Sequence, residues 1–252
     1  MSGDNAGQFR LSIVVPVFNE AKHLEPLVLR LLESPCLVDR EWIFVDDCST
    51  DESLSVLRRL QLEFGFKLIE QTRNRGKGAA LARGFDAATG DFIMIQDADF
   101  EYDPAEAQDL LQPLLRDQAD VVYGSRFKRS GYQVHRTYHY LTNRVLTLIS
   151  NLLSGMYLSD METCYKIFRA DLLKAMHLRS QRFGIEVELT AYVAKTRARV
   201  YELPISYRPR TRLLGKKIGW KDGVAAIVHL IRFNLFTGGD RAFVNLPERY
   251  RQ

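Results

Sequence analysis

Two short apolar runs, residues 11–17 and 42–45, set the tightest limit on what this chain can fold into. Both are nearly continuous in Val, Ile, Leu and aromatic residues, the pattern of a strand buried on both faces, and both stop at polar residues, Asn19-Glu20 and Asp46-Asp47. Between them Leu24, Leu27, Leu31 and Leu32 recur at helical spacing, and Asn19 is placed to cap that helix. The alternation continues with a helix over 49–64, a strand over 67–71, a helix over 77–88 and a strand over 91–95. Strands separated by crossover helices pair in parallel, so the expected fold is α/β, a Rossmann-like doubly wound, mostly parallel sheet. Ligands of such sheets sit at the carboxyl ends of the strands, where the polar clusters fall.

After Asp97 the pattern loosens. A helix is expected over 104–116, a strand over 120–123, a long apolar helix over 138–154, a helix over 185–195 and a strand over 200–206. No repeat, low-complexity tract or Pro/Gly-rich linker interrupts the sequence. The expected organisation is a polar tail over 1–9, one α/β domain over 10–217, and a C-terminal amphipathic helix and tail over 218–252, with 237–252 a partly ordered surface segment.

Composition narrows the class. With 252 residues, 46% of them hydrophobic, the chain can bury roughly 70% of its surface without covalent staples. Cys36, Cys48 and Cys164 are odd in number, widely spaced and without a CxxC pair, as reduced thiols are. Residues 1–10 lack a basic segment followed by an apolar one, so a cytosolic location is expected. The apolar stretches 138–156 and 225–236 are interrupted by Asn143, Arg144 and Asn151, and by His229 and Arg232; neither supplies the ~18 uncharged apolar residues of a spanning helix. Charge is uneven: residues 1–120 hold 12 Lys+Arg against 22 Asp+Glu, and residues 121–252 hold 23 against 9. The basic half suits phosphates or an acidic membrane surface. A nucleic-acid partner is not expected, since it leaves the acidic first half unexplained.

The strongest local chemistry is Gln96-Asp97-Ala98-Asp99, directly after a strand. Two carboxylates one residue apart can share a hard divalent cation, Mg²⁺ or Mn²⁺, that keeps positions open for phosphate oxygens, and Glu101 and Asp103 are near enough to add a ligand. Pro16 to Glu20 and Val45 to Asp47, at the ends of the first two strands, converge on the same edge. There a carboxylate can accept from a base N–H or a ribose hydroxyl, and Val17 or Val45 can wall a base; Asp46, Asp47 and Ser49 are equally placed to cap the next helix. Asn74-Arg75-Gly76-Lys77-Gly78 opens a helix and offers backbone N–H groups and a cation to phosphates. It lacks the Ser or Thr of a Walker A sequence, and Leu81 replaces the third Gly of GxGxxG, which argues against an NTPase and a dinucleotide oxidoreductase.

PVFNE, VDDCSTD, NRGKG and QDAD, in this order and spacing, resemble the family 2 glycosyltransferases of the GT-A fold. The similarity continues through GSRF at 124–127, SDMETCYKIFR at 159–169, FGIEVELT at 183–190 and YRPRTRLLGKKIGWKDG at 207–223. These later segments are similar to the polyprenyl-phosphate glycosyltransferase branch, which includes the dolichol-phosphate mannosyltransferases. The resemblance implies that Pro16, Phe18, Glu20, Val45 and Asp47 hold the nucleoside of a nucleotide-sugar donor. It implies that Asp97 and Asp99 hold the metal and diphosphate, with Glu101 where that branch often has a Gln ligand. Val17, Lys77, Gln96, Ala98 and Arg210 complete the expected nucleotide-sugar site. Arg126, Arg144, Arg210 and Lys217 match positions that bind diphosphate or acceptor phosphate. Two departures stand out: the small Gly/Ser pair of the mannosyltransferases is here Thr163-Cys164, and the Arg that follows it is Lys166.

A phosphate acceptor is already anionic and needs cations rather than a base, and Arg126, Arg144, Lys166, Arg210, Lys216 and Lys217 supply them. Arg126, Arg144, Cys164, Lys166, Lys216 and Lys217 form the expected acceptor-phosphate site, and Asp97, Asp99, Arg126 and Lys217 the catalytic set. A hydroxyl acceptor needs a base, for which Asp160, Glu162, Glu186 and Glu188 are candidates. The expected function is inverting transfer of a hexose, from a GDP-mannose or UDP-glucose type of donor, to a polyprenyl phosphate at the cytoplasmic face of a membrane; the alternative acceptor is a soluble sugar or other hydroxyl. Val224, Ile227, Val228, Ile231 and Leu235 fall on one helix face, opposite Lys221, Ala225, His229 and Arg232 and with Trp220 at the start. Such a helix suits a membrane interface, with room for an integral membrane partner, and equally suits packing on the core. His135 and His139 stand one helical turn apart without a third ligand and read as basic acceptor-side surface, not a metal site.

Overall fold

The computed structural model describes residues 9–128, 137–182, 184–209 and 220–252. Its first half is the expected alternation: β1 (Arg10–Val17), α1 (Ala21–Glu33), β2 (Asp39–Asp46), α2 (Ser53–Phe64), β3 (Lys67–Glu70), α3 (Lys77–Ala87) and β4 (Phe92–Ile95). Then come a 3₁₀ turn (Pro104–Glu106), α4 (Ala107–Leu115), β5 (Val121–Ser125), α5 (Thr137–Ser154), β6 (Lys166–Arg169), α6 (Ala170–Lys174), α7 (Ile185–Val193), β7 (Val200–Pro204), α8 (Trp220–Leu235) and α9 (Gly239–Ala242).

The strands form one sheet in the order β3-β2-β1-β4-β6-β5-β7. β1 pairs in parallel with β2 on one side, Ile13 opposite Trp42, and with β4 on the other, Ile13 opposite Met94. The winding therefore reverses at β1, and the loops that leave β1, β2 and β4 border one crevice. Val14, Val15, Ile43, Phe44 and Ile93 are completely buried, as strands covered on both faces require. β6 runs antiparallel to both its neighbours, β4 and β5, while β5 and β7 are parallel. Sequence periodicity does not announce β6: Lys166-Ile167-Phe168-Arg169 has two apolar residues between two charges, too few for any period.

The ends of β1 and β2 are stitched together by side chains. Asn19 adopts a left-handed conformation (φ 54°) and does not cap α1, whose first flanking residue is Glu20. Its Oδ1 instead accepts from the Thr50 N–H at 2.8 Å, while its own N–H donates to Ser49 Oγ at 3.1 Å. α2 starts four residues later than expected; Asp51 accepts from Ser53 N–H at 2.9 Å, so Asp46, Asp47 and Ser49 are released from capping.

Residues 237–252, expected as partly ordered surface, dock against the domain. Val244 N–H donates to Ala175 O (2.7 Å), His177 N–H to Ala242 O (2.8 Å) and Arg197 N–H to Tyr250 O (3.0 Å), and the Tyr250 ring is buried. α8 packs on α7 through Ala226, Leu230 and the edge-on contact of Phe233 with Tyr192. Ile227, Val228, Ile231 and Leu235 face outward, and so do Leu141, Val145, Leu148 and Leu152 of the neighbouring α5. No helix among the described residues is long and apolar enough to cross a membrane.

α3 lies so close to β1 that a methyl group added at Gly84 would meet Val14 Cγ1 at 2.2 Å. Alanine gains about 1 kcal/mol over glycine in a helix, but overpacking a core costs about 1–3 kcal/mol or more. The contact wins. Gly84→Ala is expected to be net destabilising in chemical denaturation, and a midpoint at or above that of the wild type would mean that α3 can shift off β1.

Candidate active site

The crevice is bordered by the ends of β1, β2 and β4, by the start of α3, and by the segment that leads into β6. Val17 and Val45 have their side chains buried in the core and offer no wall to a base; Pro16, Phe18 and Glu20 are the half-buried side chains at that edge. The Asp47 carboxylate accepts from Gln71 Nε2 (2.7 Å), Arg75 N–H (2.8 Å) and Gly76 N–H (2.7 Å). Two of the amides expected to face phosphates are therefore consumed by Asp47, which shapes the 71–76 loop. Gly76 and Gly78 let this loop press against residues 180–182: an added methyl would lie 2.5 Å from Gln181 O and 2.2 Å from Ser180 O, respectively.

This packing drives Lys77 inward. Its ammonium lies 2.8 Å from Asp97 Oδ1, 2.9 Å from Glu186 Oε1 and 2.7 Å from Cys164 Sγ. Burial alone would lower the Lys77 ammonium, but Asp97, Cys164 and Glu186 hold it well above its ordinary value. Burial alone would likewise raise the Asp97 carboxyl, yet Lys77 keeps it below the usual carboxylate range. Asp99 Oδ1 accepts from Glu101 N–H (3.0 Å), and Glu101 Oε2 accepts from the Tyr207 hydroxyl (2.7 Å). Among the described residues no three His, Cys, Asp or Glu side chains are gathered as a metal site. Asp97 and Asp99 remain an all-oxygen pair at a strand end, suited to a hard cation whose other ligands come from elsewhere. Gln96 supports them from behind: it accepts from Tyr165 OH at 2.6 Å and donates to Asp97 O at 3.0 Å. Ala98 is buried.

On the opposite wall Arg126 grips Asp160 with two bonds, Nε to Oδ2 and Nη2 to Oδ1, both at 2.7 Å. The pair is buried, and Arg126 also lies over the rings of Tyr207 (5.1 Å) and Phe127 (5.7 Å). Asp160 is thus an ion-pair partner and not a free base. Glu188 is equally committed, accepting from Arg179 N–H (2.8 Å) and Ser180 N–H (2.7 Å) while fully buried. Lys166, expected to face an acceptor phosphate, is fully buried; it donates to Met161 O (3.1 Å) and Thr163 O and lies over the Tyr123 ring. Burial outweighs the nearby Glu186, Cys164 and Glu162 and lowers its pKa. Arg144 is exposed on α5 and donates to Ser159 O (3.4 Å). Arg210, Lys216, Lys217 and His135 lie outside the described residues, as does the His139 side chain.

Glu162 and Glu186 are different. Each has one buried oxygen without a partner, Glu162 Oε1 and Glu186 Oε2. Burial, reinforced by Glu186, pushes Glu162 up to about 7. The sequence reading missed the tyrosines: Tyr102 stacks on Tyr165 at 4.5 Å and meets Tyr207 at 5.4 Å, and Tyr102 OH accepts from the Cys164 N–H at 3.1 Å. Their signal was the isolated aromatic in each of two polar loops, Glu101-Tyr102-Asp103 and Ser206-Tyr207-Arg208.

A sequence model described as glycosyl transferase family 2 matches residues 12–176. The dodecaprenyl-phosphate galacturonate synthase of Rhizobium johnstonii is 29% identical over 220 residues, 85% of this chain and 64% of that protein. The dolichol-phosphate mannosyltransferase of Pyrococcus furiosus is 24% identical over 83% of this chain and 60% of its own length. The chain therefore spans less than two thirds of either protein. The dolichol-phosphate mannosyltransferase of Mycosarcoma maydis is 30% identical over 245 residues, 90% of this chain and 80% of that one. Among solved structures, glucosyl-3-phosphoglycerate synthase from Mycobacterium tuberculosis, in complex with Mn²⁺, UDP and glucosyl-3-phosphoglycerate, superposes with a TM-score of 0.68 at 19% identity, over 90% of this chain and 80% of that chain. That likeness establishes the fold as GT-A.

Between the ordinary carboxyl range and about pH 7 the folded chain holds a proton at Glu162 that the unfolded chain has released, so Glu162 makes stability fall as pH rises through that window. Glu162→Gln is expected to remove this slope. Its melting temperature relative to wild type should climb between about pH 5 and about pH 8 in calorimetry; a difference independent of pH would place the carboxyl in contact with solvent.

Proposed function

We propose that this chain, which belongs to glycosyl transferase family 2, transfers a hexose with inversion from a nucleotide-sugar to a polyprenyl phosphate at the cytoplasmic face of a membrane. The observation that carries the acceptor class is the pair of outward apolar faces on α5 and α8, the helices packed on the site itself. α5 touches the site through Thr147 Oγ1, which accepts from Met161 N–H (3.2 Å), and through Tyr140, edge-on to Phe127 at 5.3 Å. α8 touches it through His229, packed on Gly184, two residues before Glu186. Apolar faces of this size beside basic residues suit a lipid interface, with or without an integral membrane partner. The names of three relatives, each a prenyl-phosphate or dolichol-phosphate glycosyltransferase, support the same acceptor.

In this mechanism Pro16, Phe18 and Glu20 border the nucleoside, Asp47 shapes the 71–76 loop beside it, and Asp97 and Asp99 would hold Mg²⁺ or Mn²⁺. The metal would draw off charge that develops on the departing nucleoside diphosphate, a stabilisation worth several kcal/mol. Lys77 orients Asp97 and keeps it ionised. Arg126, fixed by Asp160, holds the 159–166 segment in place beside the acceptor. Arg144 is an exposed cation on the α5 side, and Arg210, Lys216 and Lys217 complete the proposed phosphate site. A prenyl phosphate oxygen then attacks the sugar carbon without a base. A second acceptor class, a soluble hydroxyl compound, is favoured by Glu162 and Glu186, whose unpartnered oxygens could take a proton.

Nucleoside diphosphate release from a panel of GDP- and UDP-sugars, with and without a short polyprenyl phosphate, separates the two. Release is expected to require the prenyl phosphate and to fall about a hundredfold or more in Asp99→Ala; lipid-independent release with a soluble sugar would establish the second class. Replacing Val228 and Ile231 by Asp is expected to abolish cosedimentation with anionic vesicles while leaving the melting temperature nearly unchanged, because both side chains face outward. Undiminished vesicle binding would move the lipid contact elsewhere.

A further inference from the structure

Tyr207 stands where the acidic and basic walls of the crevice meet. Its hydroxyl donates to Glu101 Oε2 at 2.7 Å, its ring packs on Tyr102 at 5.4 Å, and the Arg126 guanidinium lies 5.1 Å from the centre of the same ring. The backbone repeats the contact. Tyr102 and Tyr207 form an antiparallel bridge, Arg208 N–H donates to Glu101 O at 2.8 Å, and Ser206 gives its N–H (2.8 Å) and its hydroxyl (2.7 Å) to the Glu106 carboxylate. Residues 101–106 are thus clasped to 206–208, and the Tyr207 side chain is held at several points.

This clasp decides where the Glu101 carboxylate goes. Glu101 follows the acidic pair by two residues and has the chemistry to add an oxygen to a hard cation there. Its backbone does serve the pair, donating to Asp99 Oδ1 at 3.0 Å, but its carboxylate is turned to Tyr207. Among the described residues no three acidic, His or Cys side chains are gathered as a metal site. The cation is left with Asp97 and Asp99, and Asp97 is already ion-paired with Lys77 at 2.8 Å. A pair so partly neutralised binds a bare divalent cation weakly, and phosphate oxygens must complete the shell. A third carboxylate would tighten the cation and, by adding negative charge, blunt the Lewis acidity that a departing diphosphate needs.

We infer that Tyr207 is a positioning residue that withholds Glu101 from the cation and holds it against the wall that carries Arg126. This rests on the metal-assisted transfer proposed above. Its signature is a sign. Loss of an ordinary supporting residue weakens a metal site, whereas loss of the Tyr207 hydroxyl releases a carboxylate towards the cation and strengthens it. Tyr207→Phe keeps the ring, and with it the packing on Tyr102 and Arg126, so the hydroxyl alone is tested.

The test is titration of the full chain with Mn²⁺, alone and with UDP or GDP, following loss of the sharp EPR signal of aqueous Mn²⁺ against protein-free blanks. The wild type is expected to bind Mn²⁺ weakly alone and more tightly with whichever nucleoside diphosphate it accepts. Tyr207→Phe should bind Mn²⁺ alone about tenfold tighter or more, the affinity that a hydrogen bond to a charged group had withheld. The gain from the nucleoside diphosphate should shrink accordingly. Glu101→Ala should leave Mn²⁺ affinity within about threefold of the wild type, and Tyr207→Phe should add less than about twofold in that background, since the hydroxyl acts only through the carboxylate. Weaker or unchanged Mn²⁺ binding in Tyr207→Phe would overturn the withholding role. So would a loss of about tenfold or more in Glu101→Ala, which would make Glu101 a ligand in the wild type. Mn²⁺ binding by neither the wild type nor any variant, with either nucleoside diphosphate, would overturn the metal-assisted reading as well.

Discussion

One largely buried ammonium group holds the site together. Lys77 reaches Asp97 from the end of β4, Glu186 from the start of α7 and Cys164 from the segment before β6. A carboxylate buried without a counter-charge would cost far more than the fold can spare, so Asp97 and Glu186 can be kept inside only because a cation sits between them. That cation in turn reaches them only because Gly76 and Gly78 allow its loop to press on residues 180–182. Breaking such a pair from one side is more damaging than never having built it. The geometry of the crevice thus rests on two missing side chains as much as on one charged group.

The second fixed point is the Arg126–Asp160 pair. It takes the candidate role of base away from Asp160, and it ties the 159–166 segment to the end of β5. Glu202 of β7 adds to this by accepting from the N–H groups of Ser159 and Asp160. That wall of the crevice is therefore held by hydrogen bonds where it is charged. Exposed apolar surface begins immediately behind it, on α5.

The strands and helices up to β4 were legible because each is a long apolar run with one clear period, and burial of whole strands left little choice of register. The placement of the acidic pair at the end of β4 and of Lys77 at the start of α3 was legible for a related reason, since both follow from where strands end and helices begin; that the Lys77 ammonium, expected to meet phosphates, is spent on Asp97 and Glu186 was not. What could not be read was pairing. Lys166 looks like a phosphate ligand in sequence, and only the fold shows its ammonium turned to Met161 and Thr163 carbonyls. Asp47 and Glu188 look like free carboxylates, yet each is taken up by backbone N–H groups, those of Arg75 and Gly76 for Asp47 and those of Arg179 and Ser180 for Glu188. β6 and the docked residues 237–252 were missed because both are held by long-range backbone bonds that leave no local trace.

The antiparallel β6 has a consequence for the order in which the molecule can be assembled. β3, β2, β1 and β4 come from residues 10–95 and close on one another through short crossovers. The next strand in space, β6, is supplied only at residues 166–169, after β5 has been made. While the chain is being synthesised, β4 therefore presents a bare edge for about seventy residues, or several seconds at ordinary elongation rates. The two halves of the sheet must then be zipped together by a four-residue strand from far along the chain, the kind of non-local closure that is slow and open to mispairing. A nascent chain of this design has most to gain from a chaperone during that interval, before its active site exists.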